Sequence, residues 1–189
     1  TDEECSDWLE PYVLAYKITS YELTTLPLIE HVARKKKPLI LSTGASNLEE
    51  IHETLEAVHK TGNRNVALMQ CTACYPAPLD SIHARSIPFM KQEFGLPVGL
   101  SDHSREADIA PMTAAALGAN LVEKHFTFSN HMSGPDHRFA LEPDELKQMV
   151  QKIRSVEKVL GSAKKEALEL EEELRRFARR SIFATRAIR

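Results

Sequence analysis

The sequence has 189 residues, 42% of them hydrophobic, enough for one globular domain with a sizeable core. Its 24 basic and 27 acidic side chains leave a net charge of −3, so charge gives no reason to expect a nucleic-acid or membrane-surface partner. Three cysteines exclude a disulfide scaffold and favour a reducing, cytoplasmic setting, and no apolar run reaches the roughly 20 residues of a bilayer span. The acidic start, Thr1-Asp2-Glu3-Glu4, has no Met and no leader-like pattern, so the chain is expected to begin downstream of its gene's start.

Five short aliphatic runs read as strands buried on both faces: Val13–Ile18, Pro38–Leu41, Val66–Cys71, Pro97–Leu100 and Asn120–Glu123. Their starts fall 25, 28, 31 and 23 residues apart, the spacing of successive βα units. The segments between them carry helix signals. Ser46 and Glu49 form a capping box ahead of Leu48, Ile51, Leu55 and Val58, with Gly62 as a stop. A helix near Phe89–Phe94 stops at Gly95, and another around Asp108–Leu117 ends at Gly118. The clearest helix starts near Glu142-Pro143 and is expected to bury Leu146, Met149, Val150, Ile153, Val156 and Leu160 before Gly161. The basic run Arg34-Lys35-Lys36-Lys37 suits the dipole at a helix C-terminus. After Gly161 the alternation breaks. Residues 163–180 read as a charged helical stretch, and Ser181–Thr185 as one more short strand.

Successive βα units imply an α/β fold with a parallel sheet, either doubly wound or part of a (β/α)8 TIM-type barrel. Every run ends in polar, chemically useful residues, and convergence from all the strand ends favours the barrel. No GxGxxG turn supports the doubly wound alternative. A barrel needs eight units and roughly 250 residues, whereas residues 13–160 supply the last five only.

His103 and His125 end adjacent strands, so both imidazoles can face one point and leave positions open on a divalent ion. Each can equally hydrogen-bond a neighbouring loop, or act without a metal. Lys17, Ser20, Ser42 and Ser101 place one cation and three hydroxyls on three neighbouring strand ends, a donor set suited to phosphate; single serines there can also cap the next helix. Glu22, five residues past Lys17, is either a general acid/base or a salt-bridge partner. Cys71 and Cys74 form a lone CxxC without a second pair, followed by the helix-breaking Tyr75-Pro76-Ala77-Pro78, which disfavours zinc or redox chemistry.

Read as strings, these residues resemble the sialic acid synthase family, which includes N-acetylneuraminate, legionaminate and pseudaminate synthases and spore-coat polysaccharide relatives. The resemblance rests on Tyr16-Lys17-Ile18-Thr19-Ser20-Tyr21-Glu22-Leu23, Leu41-Ser42-Thr43-Gly44, Tyr75-Pro76-Ala77-Pro78, Gly99-Leu100-Ser101-Asp102-His103, Glu123-Lys124-His125-Phe126-Thr127 and Gly134-Pro135-Asp136-His137, in that order. Leu141–Leu146 and Arg179-Arg180-Ser181 extend it.

The resemblance implies a (β/α)8 barrel of which residues 1–162 are strands 4 to 8. Residues 163–189 would be a helical extension and short strand leading toward a C-terminal antifreeze-like domain. It also implies condensation of phosphoenolpyruvate with an N-acetylated amino-sugar aldehyde to a nine-carbon 2-keto acid, with phosphate release, in a cytoplasmic polysaccharide pathway and in a homodimeric full-length parent. Lys17, Ser20, Ser42 and Ser101 would hold phosphoenolpyruvate. His103 and His125 would bind Mn²⁺, with Mg²⁺ or Co²⁺ as alternatives. Glu22 would move protons, and Tyr75 and Asp136 would hold the sugar. Ala73 stands where neuraminate synthases have an Asn that helps bind phosphoenolpyruvate, and Thr19 and Tyr21 stand where they have glycines; both departures lean toward the spore-coat, legionaminate and pseudaminate branches. A catalytically incomplete fragment or silent partner subunit is the competing reading. A metal-dependent barrel hydrolase fits less well, because it has no need of the phosphate donors.

Overall fold

A parallel sheet organises the computed structural model, which describes residues 2–187. Its strands are β1 (Tyr16–Ile18), β2 (Leu39–Ser42), β3 (Val66–Cys71), β4 (Val98–Asp102) and β5 (Val122–Lys124), and each pairs with the next in chain order. Helix α1 (Glu3–Leu9) precedes the sheet; α2 (Leu26–Arg34), α3 (Leu48–Lys60), α4 (Ser86–Phe94) and α5 (Ile109–Ala116) form the crossovers; α6 (Pro143–Leu160) follows β5.

Side-chain alternation sorts each strand into two faces. Leu39, Leu41, Val66, Leu68, Val98 and Leu100 point outward and share one core with Ile29, Val32, Leu55, Val58 and Ile87 of the covering helices. The inward set follows from the register, which aligns Lys17 with Ile40, Ser42 with Met69, and Cys71 with Ser101 and then Glu123. Gly99 belongs to this face, where a Cβ would lie 2.6 Å from the Leu121 carbonyl oxygen and 2.7 Å from Met69 Sδ.

One contact measures the curl of the sheet. In a flat sheet β1 and β5 would stand roughly 19 Å apart at the usual strand spacing. Yet Lys17 Nζ on β1 lies 2.9 Å from Glu123 Oε1 on β5, closer than a lysine and a glutamate could bridge across such a gap. The five strands therefore curl into a half-barrel with their C-terminal ends gathered together, as the strand-end pattern predicts.

Several local expectations are corrected. The capping box before α3 is Asn47 with Glu50, one residue later than Ser46 with Glu49: Glu50 N donates to Asn47 Oδ1 at 2.9 Å and Asn47 N to Glu50 Oε2 at 2.8 Å. Both pairs have the required spacing, and Ser and Asn cap equally well, so packing of Ile51, Leu55 and Val58 decides the start. Helix α1, absent from the sequence reading, is capped by Asp2 and docked by the Tyr16 hydroxyl, which donates to the Ser6 carbonyl at 2.7 Å. Lys35 holds Asp7 and Glu10, and Lys37 donates to the Glu10 and Val13 carbonyls, so the basic run after α2 docks the N-terminal segment rather than merely facing a helix dipole.

On α6 only Met149 of the expected apolar stripe is buried, while Val150 and Leu160 are about half exposed. The reason is the sheet edge: α6 lies beside β5, which has a strand neighbour on one side only. Among the described residues, no helix is long and apolar enough to cross a membrane.

Residues up to Val159 form one compact unit, and a second begins at Leu160. Within the second, a 3₁₀ turn at Glu169–Glu171 leads into α7 (Glu172–Ala178), whose Leu174 and Phe177 are exposed. The helical stretch is thus shorter than expected. Residues 181–185 are not a strand, because a strand requires a ladder partner and no described residue provides one.

Candidate active site

The strand ends and the loops that follow them enclose a cleft of about 350 Å³, lined on the β1 side by Lys17, Ser20 and Tyr21 and on the β4–β5 side by Ser101, His103, Glu123 and His125. Thr19, Ser42, Cys71, Tyr75 and Asp136 complete its wall. Eight of the nine residues proposed from the sequence therefore meet here: Lys17, Ser20, Ser42, Tyr75, Ser101, His103, His125 and Asp136.

Glu22 does not join them. It sits in the 3₁₀ turn Ser20–Glu22, with Thr25 Oγ1 donating to its Oε2 at 3.5 Å. Ser20 and Tyr21 of the same turn line the cleft, and Glu22 is not among the residues that do. The proton-transfer role expected of Glu22 has no support from its position in this structure.

On the cation side, Lys17 pairs with Glu123, and Ser101 Oγ donates to the same Glu123 oxygen at 2.8 Å. Ser20 Oγ accepts from the Gly44 N–H at 3.0 Å and donates to Cys71 Sγ at 3.4 Å. Gly44 is required by this close approach: a Cβ there would lie 2.7 Å from Ser20 Oγ and 3.0 Å from Cys71 Sγ. Ser42 Oγ differs from its neighbours. It is fully buried and has no hydrogen-bond partner among the described residues. A hydroxyl taken out of water and left unmatched costs about 1–3 kcal/mol, a cost that a ligand oxygen in the cleft would recover.

The histidines form the opposite wall, their ring centroids 5.2 Å apart in an edge-to-face arrangement. His103 Nδ1 lies 2.9 Å from the Thr72 carbonyl, which can only accept, so this nitrogen carries the proton and Nε2 keeps its lone pair. Burial pushes His103 down, but its contacts with Cys71 and the Thr72 carbonyl outweigh this and hold it above the usual histidine value. The Cys71 thiol is the converse: burial pushes it up, while hydrogen bonding to His103 and Ser20 brings it below the usual thiol value. Burial, and then the neighbouring His103, lower His125, which favours its neutral form. Asp136 Oδ2 lies 3.6 Å from His125 Nδ1, and Tyr75 stacks on His103 with centroids 4.3 Å apart.

The two imidazoles, 5.2 Å apart between centroids, are the side chains here that could hold a divalent ion. His103 offers a free Nε2 fixed by a backbone partner of the kind that orients metal-bound histidines. Among the described residues no set of three His, Cys, Asp or Glu side chains stands at ligand spacing, so the chain itself offers two.

Four cleft residues were not proposed from the sequence, Thr19 and Tyr21 beside Ser20, and Cys71 and Glu123 on the strands; the last pair is the more informative. Both were legible in the strand period: Cys71 is in phase with Ala67 and Met69, and Glu123 with His125. The CxxC spacing drew Cys71 into a separate question. In the fold it is buried beside Ser20, whereas Cys74 is exposed.

Comparison with known proteins identifies the family and the fold. The NeuB family model matches residues 1–165. The chain is 43% identical over 188 residues to the spore coat polysaccharide biosynthesis protein SpsE of Bacillus subtilis, covering 92% of this chain and 50% of that protein. Its crystal structure superposes with a TM-score of 0.81, covering 94% of this chain and 54% of that one. The N,N'-diacetyllegionaminic acid synthase of Campylobacter jejuni is 42% identical over 176 residues, covering 92% of this chain and 52% of that protein. The crystal structure of an N-acetylneuraminic acid synthetase from Leptospira borgpetersenii, in complex with citrate, is 30% identical with a TM-score of 0.81, covering 89% of this chain and 58% of that one. The chain thus spans about half the length of the curated relatives it matches.

Proposed function

The chain belongs to the NeuB family, and on that premise we propose that it supplies the phosphoenolpyruvate cleft of a synthase that condenses phosphoenolpyruvate with an N-acetylated amino-sugar aldehyde. The observation that carries this reading is the donor set in one cleft: a lysine and three serine hydroxyls, one of them the unmatched Ser42 Oγ, facing two imidazoles. Relatives named for legionaminic, pseudaminic and neuraminic acid synthesis support the class of product.

Lys17, Ser20, Ser42 and Ser101 hold the phosphate and carboxylate of phosphoenolpyruvate. Because Glu123 holds Lys17 and Ser101 across the cleft, the incoming phosphate takes over contacts that a carboxylate already satisfies. His103 and His125 are the residues that would hold a divalent ion, Mn²⁺ or in its place Mg²⁺ or Co²⁺. Such an ion would supply Lewis-acid polarisation of the aldehyde oxygen. Tyr75 and Asp136, on the histidine wall, orient the sugar. In the reaction C3 of the enol attacks the aldehyde carbon, water adds at C2, and the bond from C2 to the phosphate oxygen breaks to give the 2-keto acid and inorganic phosphate.

The test is phosphate release from phosphoenolpyruvate by the chain completed with the N-terminal barrel units of a family member. Release that requires both an N-acetylated amino sugar and a divalent ion is expected. Release equally fast without the sugar would instead make the cleft a phosphatase site and reject the reading.

A further inference from the structure

Behind the histidine wall lies an ion pair that the proposed chemistry does not use. Lys124 and Asp102 are ladder partners on β5 and β4, and their side chains are 2% and 0% exposed. Alternation places them on the outer face: Ser101 and His103 flank Asp102 and point into the cleft, as Glu123 and His125 do around Lys124. Lys124 Nζ donates to Asp102 Oδ2 at 2.6 Å and to the Ser104 and Glu106 carbonyls at 2.6 and 2.8 Å, using its three N–H groups, with Ser104 Oγ 3.2 Å away. Asp102 Oδ1 accepts the Ser104 N–H at 2.8 Å. One ammonium thus ties the end of β5 to the end of β4 and to the loop that leaves His103.

Buried ion pairs are poor sources of net stability, since desolvation consumes most of the Coulombic gain. Such a pair is better explained by the geometry it imposes. We propose that Lys124 and Asp102 are positioning residues that fix the spacing and orientation of the His103 and His125 imidazoles across the cleft. The proposal rests on the functional reading only for why that spacing matters; its structural content stands apart from any reaction.

The test replaces both partners by apolar residues of similar size, Asp102→Leu with Lys124→Met, so that no buried charge is stranded. Imidazole ¹H–¹⁵N spectra of the full 189-residue chain then report the His103 tautomer and the ring-to-ring NOE between His103 and His125. The expected variant still melts cooperatively, but it loses that NOE and the single Nδ1–H tautomer of His103. A folded variant with both signals unchanged would overturn the proposal. Should the apolar pair not fold, Asp102→Asn with Lys124→Gln keeps a neutral hydrogen-bonded pair and enters the same comparison. Failure of both to fold would make the pair a stability element and likewise overturn the proposal. Neither readout involves turnover, so a failed synthase assay leaves this result independent.

Discussion

Ser42→Ala should move stability and ligand affinity in opposite directions. Ser42 Oγ is buried at the end of β2, exposed by only 1%, and unpaired among the described residues. The folded chain therefore carries a desolvated hydroxyl with no compensating bond, a penalty of about 1–3 kcal/mol. Alanine removes the oxygen and leaves the Cβ in place, so the gain is partly offset by a small void. A net stabilisation of about 1 kcal/mol raises the melting temperature of a chain this size by about 2–4 °C. For phosphoenolpyruvate the sign reverses. A hydrogen bond to a charged group contributes about 1.5–3 kcal/mol, so its loss weakens binding by about one to two decades. The assay is a thermal melt of ligand-free chain paired with calorimetric titration of phosphoenolpyruvate into wild type and variant. A variant that melts lower without ligand, or binds phosphoenolpyruvate as tightly as wild type, would refute the reasoning that this hydroxyl is held in reserve for a ligand.

His103→Ala and His125→Ala should each abolish metal content and metal-dependent turnover in the completed protein, measured by elemental analysis and phosphate release; undiminished values in either variant would exclude the two-histidine site. Hydrogen bonds from Lys35 and then His31 hold Asp7 below the usual carboxylate value of 3.8. A depressed carboxylate contributes stability that is complete above its unfolded value and lost as pH falls through its folded value, so docking of α1 should weaken below about pH 3.8. The fluorescence of Trp8, the single tryptophan, which lies on α1, reports this, and Asp7→Asn should remove the acid transition. Among the described residues the half-barrel has two unpaired strand edges, β1 and β5, with an apolar groove lined by Leu121, Val122, Met149 and Ile153 beside the latter. The 189 residues alone should accordingly self-associate in sedimentation and release no phosphate, and a compact, active monomer would contradict this.

How much of this was legible in the sequence depended on burial. The run Val66–Cys71 is recovered residue for residue because both of its faces are packed, and a near-continuous apolar stretch, here broken by Gln70 alone, is what such a strand requires. At the edge, β1 begins at Tyr16 rather than Val13, since only Tyr16–Ile18 find ladder partners on β2, and Leu14 is exposed. The strand ends also revealed most of the cleft, because the residue types there are chemically unusual. Position within the period places Cys71 and Glu123 on the same inward face. The Lys124–Asp102 pair was hidden for a different reason: a lysine and an aspartate 22 residues apart become a buried contact only once β4 and β5 are adjacent and in register. Glu22 shows the limit of spacing in a loop, where a single 3₁₀ turn decides which way a carboxylate faces.

The central claim is that this cleft binds phosphoenolpyruvate through the β1 cation and the strand-end hydroxyls, and Lys17→Met tests it most directly. Lys17 pairs with Glu123 across the cleft, so the variant removes the cation that the phosphate would take over. Calorimetric titration of phosphoenolpyruvate should show binding weakened by about one to two decades, the equivalent of a charge-assisted contact of about 1.5–3 kcal/mol. Unchanged affinity in a variant that remains folded would contradict the assignment of the cleft.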